Sequence, residues 1–277
     1  MRDFFKATKI GVIGRYGAAI AMWAGGALMA SAAQALPTQS WNGYHWARTG
    51  ELSLALGDNV SAAWKPYFST AAKQWSAASN IDFAATLGST TPSTCDPVYG
   101  GVEVCSGNYG ATGWLGYATV WLGGAFIVQA TVKLNDYYFN QPKYNTSAWR
   151  AMTACQEIGH TLGLAHNDTI RTDLNKGTCM DYTNDPTGLA GGANGKLANL
   201  APSASDFAAL NGIYATVDAV QLAQTKPQWR ISDAFTIGED VSSVATAVPE
   251  AATWTMMLAG FAAIGTTMRR SKRVAIA

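Results

Sequence analysis

Thirteen consecutive residues carry most of the chemistry this chain can offer: Gln156, Glu157, Ile158, Gly159, His160, Thr161, Leu162, Gly163, Leu164, Ala165, His166, Asn167 and Asp168. Positions 156 and 160 are one helical turn apart, so on a helix they share a face and reach one point. Glu157 lies beside that face. Gly163 tolerates positive φ and can end the helix sharply, after which His166 approaches the same point from a loop. Two imidazoles and one carboxamide oxygen around a point, with a carboxylate alongside, can hold a divalent ion. Hydrolysis is the chemistry that such a set supports. Three protein ligands leave a fourth position for water, and the ion lowers the pKa of that water towards ~7. The neighbouring carboxylate takes its proton and passes it to the leaving group.

Gln156 is the unusual member, because a neutral amide oxygen is a weaker ligand than imidazole or carboxylate. Three outcomes are open. Gln156 is a weak third ligand; or Asp168 or His45 completes the set; or metal binding is lost and a binding surface remains.

The elements that must position these groups are partly legible. Residues 43–56 read as a strand region, with Trp46, Leu52, Leu54 and Leu56 in partial alternation. Trp64, Phe68, Ala71 and Trp75 recur at helical spacing, with Pro66 confined to the first turn. Residues 81–87 predict a second strand. Residues 90–110 are rich in Gly, Pro, Ser and Asn and read as a loop, across which Cys95 and Cys105 could pair. Residues 114–134 predict strands broken by glycines. Asn145, Thr146 or Ser147 can cap a helix over about 148–162. A last helix opens at Ser203 or Ser205 and carries Phe207, Leu210 and Tyr214. The predicted fold class is α+β, a twisted mixed sheet with an active-site helix and an irregular C-terminal half.

The stretch resembles the metzincin zinc-peptidase motif HExxHxxGxxH, matched at Glu157, His160, Gly163 and His166 and departing from it at Gln156. Cys179-Met180-Asp181-Tyr182 resembles the family's Met-turn. The resemblance spans roughly residues 40–215. It implies Zn2+ as cofactor, with Gln156, His160 and His166 as ligands, Glu157 as general base, Met180 as floor of the site and Tyr182 as a second catalytic group. It implies a protein or peptide substrate. It also brings the segments of Cys155 and Cys179 together beneath the metal, so Cys155–Cys179 and Cys95–Cys105 are the implied disulfides. Asn167 matches no subfamily's usual residue after the third His, and no cysteine-switch segment lies between Ala35 and the first strand. The alternatives are a non-catalytic surface or exopolysaccharide-matrix binding protein on the same scaffold, or another metal hydrolase.

The two ends of the chain read differently from its middle. Arg2, Lys6, Lys9 and Arg15, an apolar run over 18–30 and Ala33-Gln34-Ala35 make a secretory signal peptide over residues 1–35. Residues 251–268 are apolar enough to span a bilayer marginally, and Arg269, Arg270, Lys272 and Arg273 follow. With Val248-Pro249-Glu250, that tail (248–277) resembles the PEP-CTERM sorting signal. This implies a Gram-negative source, an exosortase-type processing partner, membrane contact through the tail, and a surface, matrix or secreted destination. Residues 36–217 are then the catalytic domain, and 218–247, where periodicity fades, a linker. Between residues 36 and 247 there are 11 Lys and Arg against 16 Asp and Glu, a net charge of −5. No basic patch points to nucleic acid, and an even cysteine count in an exported chain fits two disulfides.

Overall fold

The computed structural model describes residues 39–78, 80–189, 195–218, 227–236 and 244–247. The expected signal peptide and sorting tail, with its membrane-spanning segment, lie outside them. Among the described residues no helix is long and apolar enough to cross a membrane.

The architecture is α+β, built on one mixed sheet. Its strands are β1 (His45–Trp46), β2 (Leu52–Asn59), β3 (Ile81–Leu87), β4 (Gly101–Gly107), β5 (Trp114–Gly123), β6 (Phe126–Asn135), β7 (Trp229–Thr236) and β8 (Val244–Ala247). The path runs β3-β2-β4-β6-β5-β7-β8, and β1 joins β6 off that path. The pairs β2·β3, β2·β4, β4·β6 and β1·β6 are parallel, whereas β5·β6, β5·β7 and β7·β8 are antiparallel. Helices α1 (Lys65–Trp75), α2 (Asp136–Phe139), α3 (Ser147–His160) and α4 (Ala204–Ile213) complete the order.

Local sequence explains most of these elements. In β2 the residues Leu52, Leu54 and Leu56 are buried and alternate with exposed Ser53 and Ala55, the pattern of a strand with one covered face. Helix α1 has Pro66 in its first turn and buries Phe68, Ala71, Ala72 and Trp75. Each such large side chain contributes about 1.5–3 kcal/mol by leaving water. Tryptophans also tie the layers with polar contacts. Trp75 Nε1 donates to Cys155 O at 2.8 Å, and Trp46 Nε1 donates to Thr161 O at 2.7 Å. Both acceptors lie on or just after α3, so the indoles fix that helix against α1 and the sheet.

Two expectations need correction. The span 90–110 is not all loop: β4 lies within it, between β2 and β6. Gly101 through Ser106 are all buried, so the alternation that marks a half-exposed strand is missing. Its one charged residue, Glu103, is satisfied by Ser89 Oγ at 2.6 Å and Asn59 Nδ2 at 2.5 Å. The span 218–247, expected as a linker, contains β7 and β8. Strand β7 pairs along nearly the whole of β5, and its ladder is earned by a partner more than 100 positions away in sequence, which local composition does not show.

Both cysteine pairs are bonded as the resemblance implied. Cys95–Cys105 links the 90s loop to β4, and Cys155–Cys179 links α3 to the segment carrying Met180.

Candidate metal centre

Helix α3 starts at Thr146, whose hydroxyl accepts from Trp149 N–H at 3.3 Å, an N-cap that satisfies one of the free donors of the first turn. Beyond His160 the chain reverses at Gly163, with φ of 91°. A Cβ there would stand 2.0 Å from Tyr44 O, so both the backbone angle and the close approach require glycine. The turn delivers the Leu164 carbonyl to His160 Nδ1 at 2.8 Å. A carbonyl can only accept, so Nδ1 carries the proton and Nε2 of His160 is left with its lone pair. His166 follows three residues after the glycine, and its Nε2 lies 3.0 Å from His160 Nε2.

The other nitrogen of His166, Nδ1, faces Asp233 Oδ2 at 3.4 Å. A carboxylate beside Nδ1 favours the proton there and exposes the second Nε2 as an acceptor. Burial lowers the His160 pKa to about 4, with the Leu164 bond opposing it. Burial also lowers His166, assisted by His160 and by the charge of Arg171. Both rings are therefore neutral at pH 7. Two neutral, buried imidazoles whose Nε2 atoms meet at one region are a donor set for a cation. The rings are also held from the sides: Trp41 stacks on His160 at 5.3 Å, and Tyr182 meets His166 edge-on at 4.4 Å.

Glu157 is fully buried; no side chain bonds its carboxylate, which faces the backbone N–H groups of Ala118 and Phe235. It sits under β5 at Gly116, where a Cβ would lie 2.5 Å from its Oε1. Glycine at 116 therefore makes the room that this carboxylate occupies. Burial raises the Glu157 pKa well above the ordinary carboxylate range and the nearby Asp233 charge adds to the shift, while the backbone N–H groups of Phe235 and Ala118 oppose it.

Gln156 is placed differently from a simple ligand. Its Nε2 donates to Cys179 O at 2.8 Å and to Asp181 O at 3.4 Å. These carbonyls bracket Met180, so the amide straps α3 to the turn below it. The remaining oxygen, Oε1, is buried without a partner. Met180 itself is fully buried, with Sδ so near Gly159 that a Cβ there would approach it to 2.6 Å. The turn is braced by Met180 N–H to Thr178 Oγ1 at 3.0 Å and by Asn167 N–H to Met180 O at 2.9 Å.

The remaining expectations resolve by position. Tyr182 borders the site, but its hydroxyl donates to Ala234 O of β7 at 2.6 Å. Asp168 turns to Lys176, 3.5 Å away, and to Ile170 N–H. His45 is engaged by Gly43 O and Asp218. Neither Asp168 nor His45 joins the histidine pair. Asp233 does: its carboxylate and one nitrogen of each histidine lie within 4.8 Å of one another. Sequence reasoning missed it. The available signal was Ile231-x-Asp233-x-Phe235, an acidic residue in phase with two apolar ones on a strand, where an unpartnered charge would be costly to bury.

One stretch of the chain has a shown relationship. Residues 247–273 match the PEP-CTERM protein-sorting motif. That match begins at Ala247, the last residue of β8, and it marks the chain as carrying a sorting signal of exported Gram-negative proteins. A search of curated proteins finds no match. Among solved structures, the chain is similar to the ECX AB5 holotoxin in its GM1-bound form (14% identity, TM-score 0.38, 64% of this chain and 86% of that one). It is similar to myroilysin (14%, TM-score 0.35, 62% and 83%). It is also similar to high choriolytic enzyme 1, a hatching-enzyme zinc protease of the medaka fish Oryzias latipes (12%, TM-score 0.33, 66% and 96%). These likenesses are too loose to bear on the chemistry of the site.

Proposed function

We propose that the protein is an exported zinc-dependent endopeptidase. The observation that carries this reading is the convergence of two neutral Nε2 atoms, 3.0 Å apart, next to a fully buried carboxylate that no cationic side chain pairs with. A structural glutamate in such a place would cost stability for no return.

His160 and His166 hold the ion, with the ring of His160 fixed by its Nδ1 contact to the Leu164 carbonyl. Zinc bound there supplies Lewis acidity towards a peptide carbonyl and makes water a nucleophile near neutral pH. Glu157 takes the proton of the attacking water and returns it to the leaving amine. Its raised pKa means that it is a ready base only with positive charge beside it, which ties its role to a loaded site. Met180 and the Cys155–Cys179 bond hold the floor. Gln156 fixes α3 to that floor, and its free Oε1 is a candidate donor. The signal peptide over residues 1–35 carries the chain across the inner membrane, and the sorting tail brings it to an exosortase-type enzyme and then to the surface, the matrix or the medium.

A second reading has one observation in its favour: His160, Gln156 and Glu157 are fully buried and His166 is only 8% exposed, as in a scaffold that binds without catalysing. Metal analysis of the purified protein, with cleavage of a casein-type substrate before and after chelation, separates the two. Metal with chelator-sensitive cleavage supports the peptidase. Folded protein with neither supports the binding scaffold.

A further inference from the structure

Strand β7 does more than extend the sheet. It is antiparallel to β5, with Ala118 opposite Asp233, Thr119 opposite Ser232 and Gly116 opposite Phe235. That stretch of β5 is the part that lies over Glu157, since Gly116 is its near neighbour. The open edge of β5 is thus taken by the chain's own C-terminal segment, directly above the proposed base.

Several contacts hold β7 in place. Tyr182 Oη donates to Ala234 O, and Arg171 Nη2 donates to Thr236 Oγ1 at 3.0 Å. Phe235 is fully buried between Tyr182, at 5.1 Å, and Trp149, at 6.0 Å, with the Arg171 guanidinium 5.6 Å from its ring. With Ile231 and Phe235 buried on its inward face, the strand carries Asp233 between them, 4% exposed and beside His166 Nδ1.

We propose that β7 is a built-in strap that shuts the metal centre and lends it Asp233 as a third donor. This rests on the metal reading of His160 and His166. The Asp233 donor oxygen and one nitrogen of each histidine lie within 4.8 Å of one another, so a carboxylate that turns from His166 Nδ1 to the ion supplies the charge that the Gln156 amide lacks. The same strand denies an extended peptide the β5 edge, because one row of backbone N–H and C=O groups can pair with one strand only. It also engages the hydroxyl of Tyr182. Strand β8 follows the strap in sequence, and its last residue, Ala247, opens the sorting motif. Opening therefore requires β7 to leave β5, which frees the edge, the tyrosine and the ion's open position together.

The test uses the full mature chain loaded with cobalt in place of zinc. Metal affinity is read by chelator competition for the parent, Asp233→Asn and Asp168→Asn. Asp233→Asn should bind cobalt at least ~10-fold more weakly and shift the visible absorption of the bound ion, with Asp168→Asn like the parent. Unchanged affinity and spectrum in Asp233→Asn overturn the donor role. Opening is read without catalysis, by titrating a peptidyl hydroxamate against the cobalt spectrum. Phe235→Ala and, on the other face of the strand, Ser232→Pro should bind the probe at least ~10-fold more tightly than the parent. The proline variant removes a backbone donor without disturbing the aromatic cluster. Equal binding by the parent and whichever of these variants is folded overturns the strap. If no folded variant takes up cobalt, the metal reading falls and this proposal with it. If the probe binds the opened variants but none of them cleaves peptide, the peptidase reading falls while the strap stands.

Discussion

The two halves of the proposed metal centre are built in opposite ways. The lower half, α3 with the turn through Met180, is local and rigid: two histidines six residues apart, a glycine between them, and a disulfide and a side-chain amide tying helix to turn. The upper half is a strand from the far end of the chain, held by a ladder to β5 and by a few side chains. The lower half has the groups for chemistry. The upper half, as the proposed strap, covers those groups. A site assembled this way can be complete in its reactive residues and closed at the same time, which is why burial alone does not argue against catalysis here.

The comparison breaks most sharply at Glu157. If the lower half is catalytic, Glu157→Gln in a protein whose strap has been loosened should lose cleavage by ~10²-fold or more while retaining metal and fold. Steady-state kinetics beside metal analysis checks this, and equal activity would remove Glu157 from the mechanism.

The next effect concerns rigidity. Replacing Cys155 and Cys179 by alanine opens a closed loop of about 25 residues and should cost about 3 kcal/mol, read as a lowered midpoint in denaturant. Because that bond joins α3 to the Met180 turn, metal affinity should fall with stability. Removing Cys95–Cys105, at the far side of the sheet, should lower stability and leave metal affinity alone. Equal metal loss in both would dissolve the distinction between a braced lower half and the rest of the fold.

Gln156 sharpens the question of which half supplies the third donor. Gln156→His should tighten zinc by about 10-fold, or ~1.4 kcal/mol, if the position faces the ion. Gln156→Ala loses the bonds to Cys179 O and Asp181 O and should destabilise the apo-protein by roughly 1–3 kcal/mol. Chelator competition and denaturant melts on the same samples separate the two roles. Unchanged zinc affinity in both variants makes Gln156 a tether only and leaves Asp233 as the third donor.

The smallest effect is a pH dependence in the metal-free protein. Burial raises the Asp181 pKa to about 7, with Asp168 and Asp173 adding to it and bonds from Lys176 N–H and Asn199 opposing it. A carboxyl raised on folding is protonated in the native state while the unfolded chain has already released its proton. Its contribution to stability is therefore complete below about pH 4 and is lost as pH rises through about 7. Denaturant midpoints of the apo-protein should decline over that window, and Asp181→Asn should flatten the slope. An unchanged slope would assign the decline to Asp233 and Glu157, which are raised as well.

How much of this was legible follows from range. Spacing alone placed His160 and His166 together because a helix turn and a glycine reversal fix geometry within a dozen residues. Helix α1 and strand β3 came from periodicity, and the caps at Thr146 and Ser203 from residue type. Strand β4 was hidden because full burial removes the alternation by which a strand is recognised. Strand β7 was hidden because its polar residues Ser232, Asp233 and Thr236 meet partners distant in sequence, Thr119, His166 and Arg171.

The sequence by itself determined the candidate set: two histidines, a glutamate and a carboxamide, together with the glycine that lets them meet. Those are consequences of covalent spacing and backbone sterics, and they hold wherever the segment is helical. Tertiary structure alone decided that Gln156 spends its N–H groups on the Met180 turn, that Tyr182 is engaged by β7, and that Asp233 reaches the histidines. Each of these depends on which strand lies beside β5, and a ladder of backbone hydrogen bonds is indifferent to side-chain identity, so no local pattern specifies it. Burial of Ile231 and Phe235 against the aromatic cluster selects the partner, and the carboxylate between them is carried to the metal centre by the register that results.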